Sequence, residues 1–141
     1  MRKRNLVNVL MQLSPWMLTE RILILDIKAK RVYDAVSDED GLRVLIDRLW
    51  PRGMTKDRLR SDVWMKDLAP STELRKWFKK EPRDWGEFKR RYFLELDQKQ
   101  DGVAELRQAT KDGRVTLLYA SRDKVRNHAV VLIEYLARVS S

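Results

Sequence analysis

Four apolar runs alternate with polar stretches along the chain, and they predict four β-strands. Residues 21–29 and 43–50 are rich in Leu, Ile and Val, and residues 115–121 form the most apolar run. Residues 62–70 alternate apolar and polar side chains and end at a proline. Short apolar runs bounded by turn-forming residues are typical of strands.

The segments between the later strands carry apolar residues at helical spacing. Four helices are predicted there. The first is short and capped by Thr55, and the second is capped by Ser71. A longer helix has Pro82 in its first turn, and the fourth is capped by Asp101. Gly113 is expected to end the last of these, and residues 127–139 predict a largely apolar final helix.

This order of elements predicts the fold class. Because helical segments separate the second, third and fourth strands, these strands are expected to run parallel. The prediction is an α/β fold: a single domain with a small, mostly parallel sheet of about four strands flanked by helices. Residues 21–141 would form this domain, and residues 1–20 would be an N-terminal extension, either a flexible tail or a short helix.

Composition narrows the possible chemistry. The 141 residues are 43% hydrophobic, enough for one core, and they include no cysteine and one histidine. The lack of cysteine excludes disulfides, thiolate metal sites and a cysteine nucleophile, and it fits a cytoplasmic location. We expect no metal and no cofactor, because no metal-ligating residues occur at a spacing typical of a metal site. No run approaches the roughly 18 apolar residues of a membrane span, so no membrane partner is expected.

The net charge of +9 is unevenly distributed. Residues 1–31 hold seven basic and two acidic residues, which is more than half of the excess. The remainder of the chain is therefore only mildly basic. Such a balance makes nucleic acid a possible partner and fits a site for a small anionic ligand equally well.

Charged and polar residues lie at the ends of the second and fourth predicted strands and just after them, at the edge where parallel α/β sheets bind ligands. The candidates there are Asp47, Arg48, Tyr119, Arg122, Asp123, Asn127 and His128. Asp47 or His128 would be the catalytic group that moves protons, and the others would hold the ligand. An equally simple interpretation is that the strand ends emerge into water.

The loop after the second strand adds basic candidates. Pro51 ends the strand, and Gly53 permits a sharp turn that exposes backbone N–H groups. Arg52 and Lys56, beside the start of a short helix, would form a cradle for a phosphate or carboxylate, and Lys66 would add a further positive charge. Alternatively, a surface helix tolerates cations at its start at a cost of roughly 0.3–1 kcal/mol each.

Residues 76–93 mix basic and aromatic side chains, a combination that can bind single-stranded nucleic acid. However, Trp85, Phe88 and Tyr92 fall on one face of a helix. The favoured interpretation is that these rings pack in the core and that the basic residues form the solvated face.

Several blocks together resemble a known family. They are RVY-D (31–34), DGLRVLIDRLWPRG (40–53), WMKDLAPS-ELRKWF (64–78) and VTLLYASRDKVRNHAVVL (115–132). In order and spacing, this set over about residues 28–138 closely resembles the YeaO-like branch of the bacterial domain of unknown function 488 family. The resemblance implies a cytoplasmic α/β domain without a settled activity.

The resemblance also bears on the candidate site. Some members of the wider family carry a Cys-Ala-Glu strand end and a Cys-His-Arg start of the last helix. The corresponding blocks here are Tyr119-Ala120-Ser121 and Asn127-His128-Ala129, so only the histidine matches and thiol chemistry cannot be carried over. The Asp-Val-Arg strand end of the wider family corresponds to Asp47, Arg48 and nearby Arg52.

Three hypotheses follow. The first is a small-anion enzyme or binding domain, with phosphate, nucleotide or carboxylate as ligand and the site at the strand ends. The second is a nucleic-acid-binding accessory protein that uses the basic N-terminal segment. The third is an interaction module that retains no chemistry.

Overall fold

The structure, a computed structural model, describes residues 25–138 and contains one four-stranded sheet. The strands are β1 (Ile27–Arg31), β2 (Leu42–Leu45), β3 (Val63–Trp64) and β4 (Val115–Tyr119). All described pairs are parallel, and the order across the sheet is β1-β4-β2-β3. β4 is central and all five of its residues are buried. The predicted α/β class with a parallel sheet of four strands is confirmed.

Five α-helices surround the sheet within the described residues: α1 (Lys56–Leu59), α2 (Thr72–Lys80), α3 (Trp85–Asp97), α4 (Gln100–Asp112) and α5 (His128–Ala137). Two short 3-10 turns, Asp38–Asp40 and Lys66–Leu68, precede β2 and α2. None of the helices in residues 25–138 is both long and apolar enough to cross a membrane. The proposed N-terminal extension, residues 1–20, lies outside the described residues.

Local capping accounts for most helix starts. The Thr55 side chain accepts the N–H of Arg58, and that of Ser71 accepts the N–H of Leu74, so both predicted caps are confirmed. The predictions for α3 and α4 were wrong. Asp84, whose carboxylate accepts the N–H of Glu87, caps α3, so Pro82 lies before the helix. Asp101 lies inside the first turn of α4, where its negative charge interacts favourably with the positive end of the helix dipole.

The bounds of all four strands also differ from the prediction, and β4 ends at Tyr119 instead of residue 121. β2 stops at Leu45 instead of residue 50, because its neighbour β3 pairs over only two residues and the chain then leaves the sheet. Most of the predicted strand 62–70 instead forms a 3-10 turn and a connection to α2. β1 runs to Arg31 because β4 pairs with it as far as Tyr119, and residues 21–24 lie outside the described part.

The main core lies on the sheet face covered by α2, α3, α4 and α5. Val44, Ile46, Val115 and Leu117 of the sheet region pack there against buried residues of these helices. Phe88 and Tyr92 of α3 are buried and Trp85 packs beside them, which confirms the core interpretation of these aromatic residues. The second face carries a small cluster, Val32, Leu45, Leu59 and Leu118, under α1.

Candidate functional site

The carboxyl ends of β2 and β4 lie side by side, and they bring Asp47 and His128 together. Asp47 follows β2, and His128 is the first residue of α5, which follows β4. The Nε2 atom of His128 lies 2.8 Å from Oδ1 of Asp47, and both side chains are only 15% exposed. The two residues, which the sequence assigns to the carboxyl edge of the sheet, are therefore in direct contact in the structure.

Two hydrogen bonds hold Asp47 in place, one from a backbone N–H and one from a side chain. Its Oδ2 atom accepts the N–H of Ala120 at 3.0 Å, and its carbonyl accepts the indole N–H of Trp64 at 2.7 Å. Oδ1 and His128 Nε2 are buried and find no hydrogen-bonding partner among residues 25–138. They meet the distance of an ion pair but not the angular requirement of a hydrogen bond.

The Arg48 side chain hydrogen-bonds to the backbone and so has a structural role. Its guanidinium donates to the carbonyl of Ala69 at 3.0 Å and to that of Pro70 at 3.2 Å. Ser71 follows Pro70 in the chain, and the Glu95 carboxylate accepts both its N–H and its hydroxyl. These bonds fix the connection that leads into α2, and they thereby position the start of that helix against the strand ends.

Two adjoining cavities of about 190 Å³ each open at this edge of the sheet. Together they are called the crevice here. The residues that line both are Pro70, Arg75, Ser121 and His128. The first cavity adds Asp47, Arg48, Leu49, Ala69 and Ala120. The second adds Phe78, Lys79, Phe88, Arg126 and Asn127.

Arg75, Lys79 and Arg126 are crevice residues that sequence reasoning missed. A signal was present, because Arg75 and Lys79 stand four residues apart in a helix with a recognisable cap and must share one face. Nothing in the sequence indicated that this face would turn towards the end of β4. Arg126 directly precedes the candidate Asn127.

Asn127 and Asp123 shape the loop between β4 and α5. The Asn127 amide accepts the N–H of Val130 at 3.1 Å as N-cap and donates to the Asp123 carbonyl at 3.0 Å. The Asp123 carboxylate accepts the N–H groups of Arg126 and Val125, and these bonds lower its pKa. Asn127 lines the crevice, whereas Asp123 does not.

The other predicted ligand residues lie elsewhere. Tyr119 is buried in the main core, and burial raises the pKa of its phenol. Arg122 is exposed in the loop after β4 and lines neither part of the crevice.

Arg52, Lys56 and Lys66 also line neither cavity. Arg52 is exposed, and its carbonyl accepts the hydroxyl of Tyr33 at 2.8 Å. Lys56 is exposed at the start of α1, a helix of four residues. The Lys66 ammonium lies 5.3 Å from the ring centre of Trp64. The structure therefore brings together only Asp47, Arg48, Asn127 and His128 of the predicted set.

A larger cavity of about 760 Å³ lies beside the edge strand β3. Its lining includes Lys66 and Lys99 but also four acidic residues: Asp67, Asp97, Asp101 and Glu105. The crevice is the better candidate despite its smaller size, because it combines a largely buried Asp–His pair with converging basic groups at the carboxyl edge of the sheet, where parallel α/β folds generally bind ligands. Within residues 25–138, no group of three or more His, Cys, Asp or Glu residues is arranged to hold a metal ion.

Comparison with known proteins identifies the family. Residues 26–140 match the family model described as "Inactive DUF488-N3 subclade". The chain belongs to this DUF488 subclade. It is 44% identical over 112 residues to the uncharacterized protein YeaO of Escherichia coli K12, covering 79% of this chain and 97% of YeaO. It is 44% identical over 110 residues to the uncharacterized protein Rv3073c of Mycobacterium tuberculosis H37Rv, covering 78% and 92%. No solved structure matches.

The family blocks named from the sequence meet at the crevice in this DUF488 domain. Ser121 lies at the end of the first block, and Asn127 and His128 begin the second; all three line the second cavity. Ala129, which stands where some members of the wider family have arginine, is fully buried in the core. The positive charge of the crevice therefore comes from other positions, on α2 and on the loop before α5.

Proposed function

We propose that this DUF488 domain binds a small phosphate- or carboxylate-bearing anion in the crevice. The observation that carries the proposal is the imbalance of charge along its walls. Arg75, Lys79 and Arg126 line it, and among the described residues that line it only Asp47 is acidic. Asp47 faces His128 and accepts the N–H of Ala120, and a single carboxylate leaves the three cations in excess.

The three basic side chains are available to a ligand, although the charge of Arg126 also interacts with the Asp123 carboxylate. None of them forms an ion pair or a side-chain hydrogen bond with another of the residues 25–138 that the structure describes. Like charges that converge on one cavity raise its potential and attract an anion. Arginine also matches the geometry of carboxylate and phosphate groups, because its guanidinium can donate two parallel hydrogen bonds.

The size of the crevice supports a small ligand. Each of the two cavities measures about 190 Å³. Drug-sized ligands occupy pockets of about 300–1,000 Å³, so a ligand here would be smaller or would extend through both cavities.

Binding is favoured over catalysis. The matching family model is described as an inactive subclade, and the chain has no cysteine. In this proposal His128 contacts the anion and Asp47 orients its ring. If a reaction does occur in the crevice, this same pair is the one placed to move a proton.

The test is an isothermal titration of the full chain with inorganic phosphate, sulfate and acetate at low and moderate salt. Arg75→Gln and Arg126→Gln should each weaken the binding constant about tenfold or more, since a hydrogen bond to a charged group contributes roughly 1.5–3 kcal/mol. Lys76→Gln is the matched control, because Lys76 lies next to Arg75 in α2 but lines neither cavity. Its affinity should equal that of the unaltered protein.

Equal weakening in Lys76→Gln would show that only bulk charge matters, and no binding by any anion would reject the proposal. A short oligonucleotide at the same two salt concentrations tests the nucleic-acid alternative. Affinity for the oligonucleotide alone, falling steeply with salt, would favour that alternative instead.

A further inference from the structure

The second cavity of the crevice combines a cationic rim with an aromatic wall. Phe78 and Phe88 line it together with Arg75, Lys79 and Arg126. A phosphate or carboxylate group alone gains no binding energy from an apolar wall. A wall of this kind contributes to binding only when the ligand carries an apolar part that can be removed from water against it.

The aromatic wall is held by the core behind it. The ring centres of Phe78 and Phe88 lie 4.5 Å apart, and Phe88 stacks on Trp85 at 5.5 Å with the planes 16° apart. Phe88 is buried, whereas Phe78 keeps part of its surface accessible. The accessible ring therefore presents a fixed surface to the cavity, and little freedom would be lost when a ligand packs against it.

The two cavities differ in chemistry. The first holds the buried Asp47–His128 pair, whereas the second has the aromatic wall, and Arg75 lines both. An anionic group at Arg75 would therefore lie between a polar compartment and an apolar one. This arrangement fits a ligand with a charged end and a ring at the other.

We propose that the ligand of the crevice is an aryl or heteroaryl anion, whose phosphate or carboxylate meets Arg75 and Arg126 and whose ring packs on Phe78. This inference rests on the proposed function and makes its ligand class more specific. A flat ring is favoured over an alkyl chain because aromatic pairs gain energy beyond the burial of area, and because Arg and Lys at the rim attract the face of a ring. A nucleobase and a simple aryl group share this chemistry.

The experiment compares phenyl phosphate, ethyl phosphate and inorganic phosphate in titrations of the full chain. Phenyl phosphate should bind about tenfold tighter than ethyl phosphate, as expected for one good aromatic contact. Phe78→Leu should remove this preference and leave the affinity for inorganic phosphate unchanged. Adenosine and uridine monophosphates then distinguish a nucleobase ligand, which would bind tighter than phenyl phosphate, from a simple aryl one.

Phe93→Leu is the matched control. Phe93 packs edge-on against Tyr135 and lines neither cavity, so this variant should keep the preference for phenyl phosphate. NMR of the unaltered protein provides a measurement that needs no variant. The ring protons of Phe78 should shift with phenyl phosphate and not with ethyl phosphate.

The outcomes separate the two proposals. If all three phosphates bind equally well and the Phe78 signals do not move, the aryl inference is overturned and anion binding stands. If no anion binds at all, the proposed function fails and the aryl inference fails with it. A preference for phenyl phosphate lost equally in Phe78→Leu and Phe93→Leu would also overturn the assignment to this wall.

Discussion

Among single residues, Asp40 shows most clearly how this fold handles charge. Its carboxylate is fully buried and lies 3.0 Å from the ammonium groups of Lys28 and Lys30 and 2.5 Å from the guanidinium of Arg43. Burial alone would raise its pKa. The N–H of Ser37 and the three cations outweigh that effect and hold the pKa well below its usual range.

Replacing this carboxylate should destabilise the fold. Asp40→Asn leaves the nearly buried Arg43 without its counter-charge, which typically costs about 3–5 kcal/mol in the free energy of unfolding. Urea unfolding followed by circular dichroism measures the loss. Asp38→Asn, in the same turn but exposed, should change the free energy of unfolding by less than about 0.5 kcal/mol. Similar losses in both variants would contradict the role given to Asp40.

The lowered pKa of Asp40 makes the stability of the fold depend on pH. In the unfolded chain Asp40 takes up a proton near its ordinary pKa of about 4, whereas in the folded protein it stays ionised to lower pH. Its contribution is therefore complete above about pH 4 and is lost as the pH falls towards the folded pKa. Urea midpoints between pH 6 and 3 should fall more steeply for the unaltered protein than for Asp40→Asn. Parallel curves would contradict this.

Among elements, the turn into β2 depends on one glycine. Gly41 has a φ of +65°, and a Cβ atom there would clash with the carbonyl oxygen of Arg114. Gly41→Ala should therefore lower the free energy of unfolding by more than about 2 kcal/mol, from backbone strain and displacement of the strand start.

Gly86 provides the matched control for that variant. It lies in α3, and a Cβ atom there would meet nothing within 4 Å. Gly86→Ala should raise the free energy of unfolding by about 0.4–1 kcal/mol, because alanine favours the helix and restricts the unfolded chain. Chemical denaturation measures the free energy of unfolding of both variants, which should fall in Gly41→Ala and rise in Gly86→Ala. A rise in both would show that the turn at residue 41 tolerates a side chain.

Helix starts could be predicted only as far as their caps are local. Ser71 and Thr55 each bond an N–H three residues ahead, which is a relation visible in the sequence. For α3, both Pro82 and Asp84 are plausible start residues. The choice of Asp84 depends on where Trp85 and Phe88 must lie to pack against Phe78, and that requirement is tertiary.

For the whole molecule, we predict that residues 1–20 are not needed for folding. The family match begins at residue 26, and the described core is built from residues 25–138. Deleting residues 1–20 should leave the melting temperature within about 2 °C of the full chain, a shift well below that caused by losing about 1 kcal/mol. Differential scanning calorimetry measures it. A loss of several degrees would place part of this segment in the fold.

The candidate site was partly predictable for a topological reason. Asp47 and His128 were found because adjacent parallel strands must end at the same edge, whatever the details of packing. Arg52 and Lys56 were grouped with them because they follow the same strand. The chain turns away after Leu45, however, and carries both residues to the exposed surface around α1.

The sequence by itself determined the strand and helix types, the parallel sheet and the edge of the sheet at which Asp47 and His128 lie, because these follow from local periodicity and the order of elements. Only the tertiary structure decided which charges meet there. Arg75 and Lys79 reach the crevice because Arg48, Glu95 and Tyr92 fix the connection between β3 and α2 through bonds to residues more than 20 positions away. Contacts across such separations depend on how α2 and α3 pack against the sheet, and local pattern carries no information about that packing.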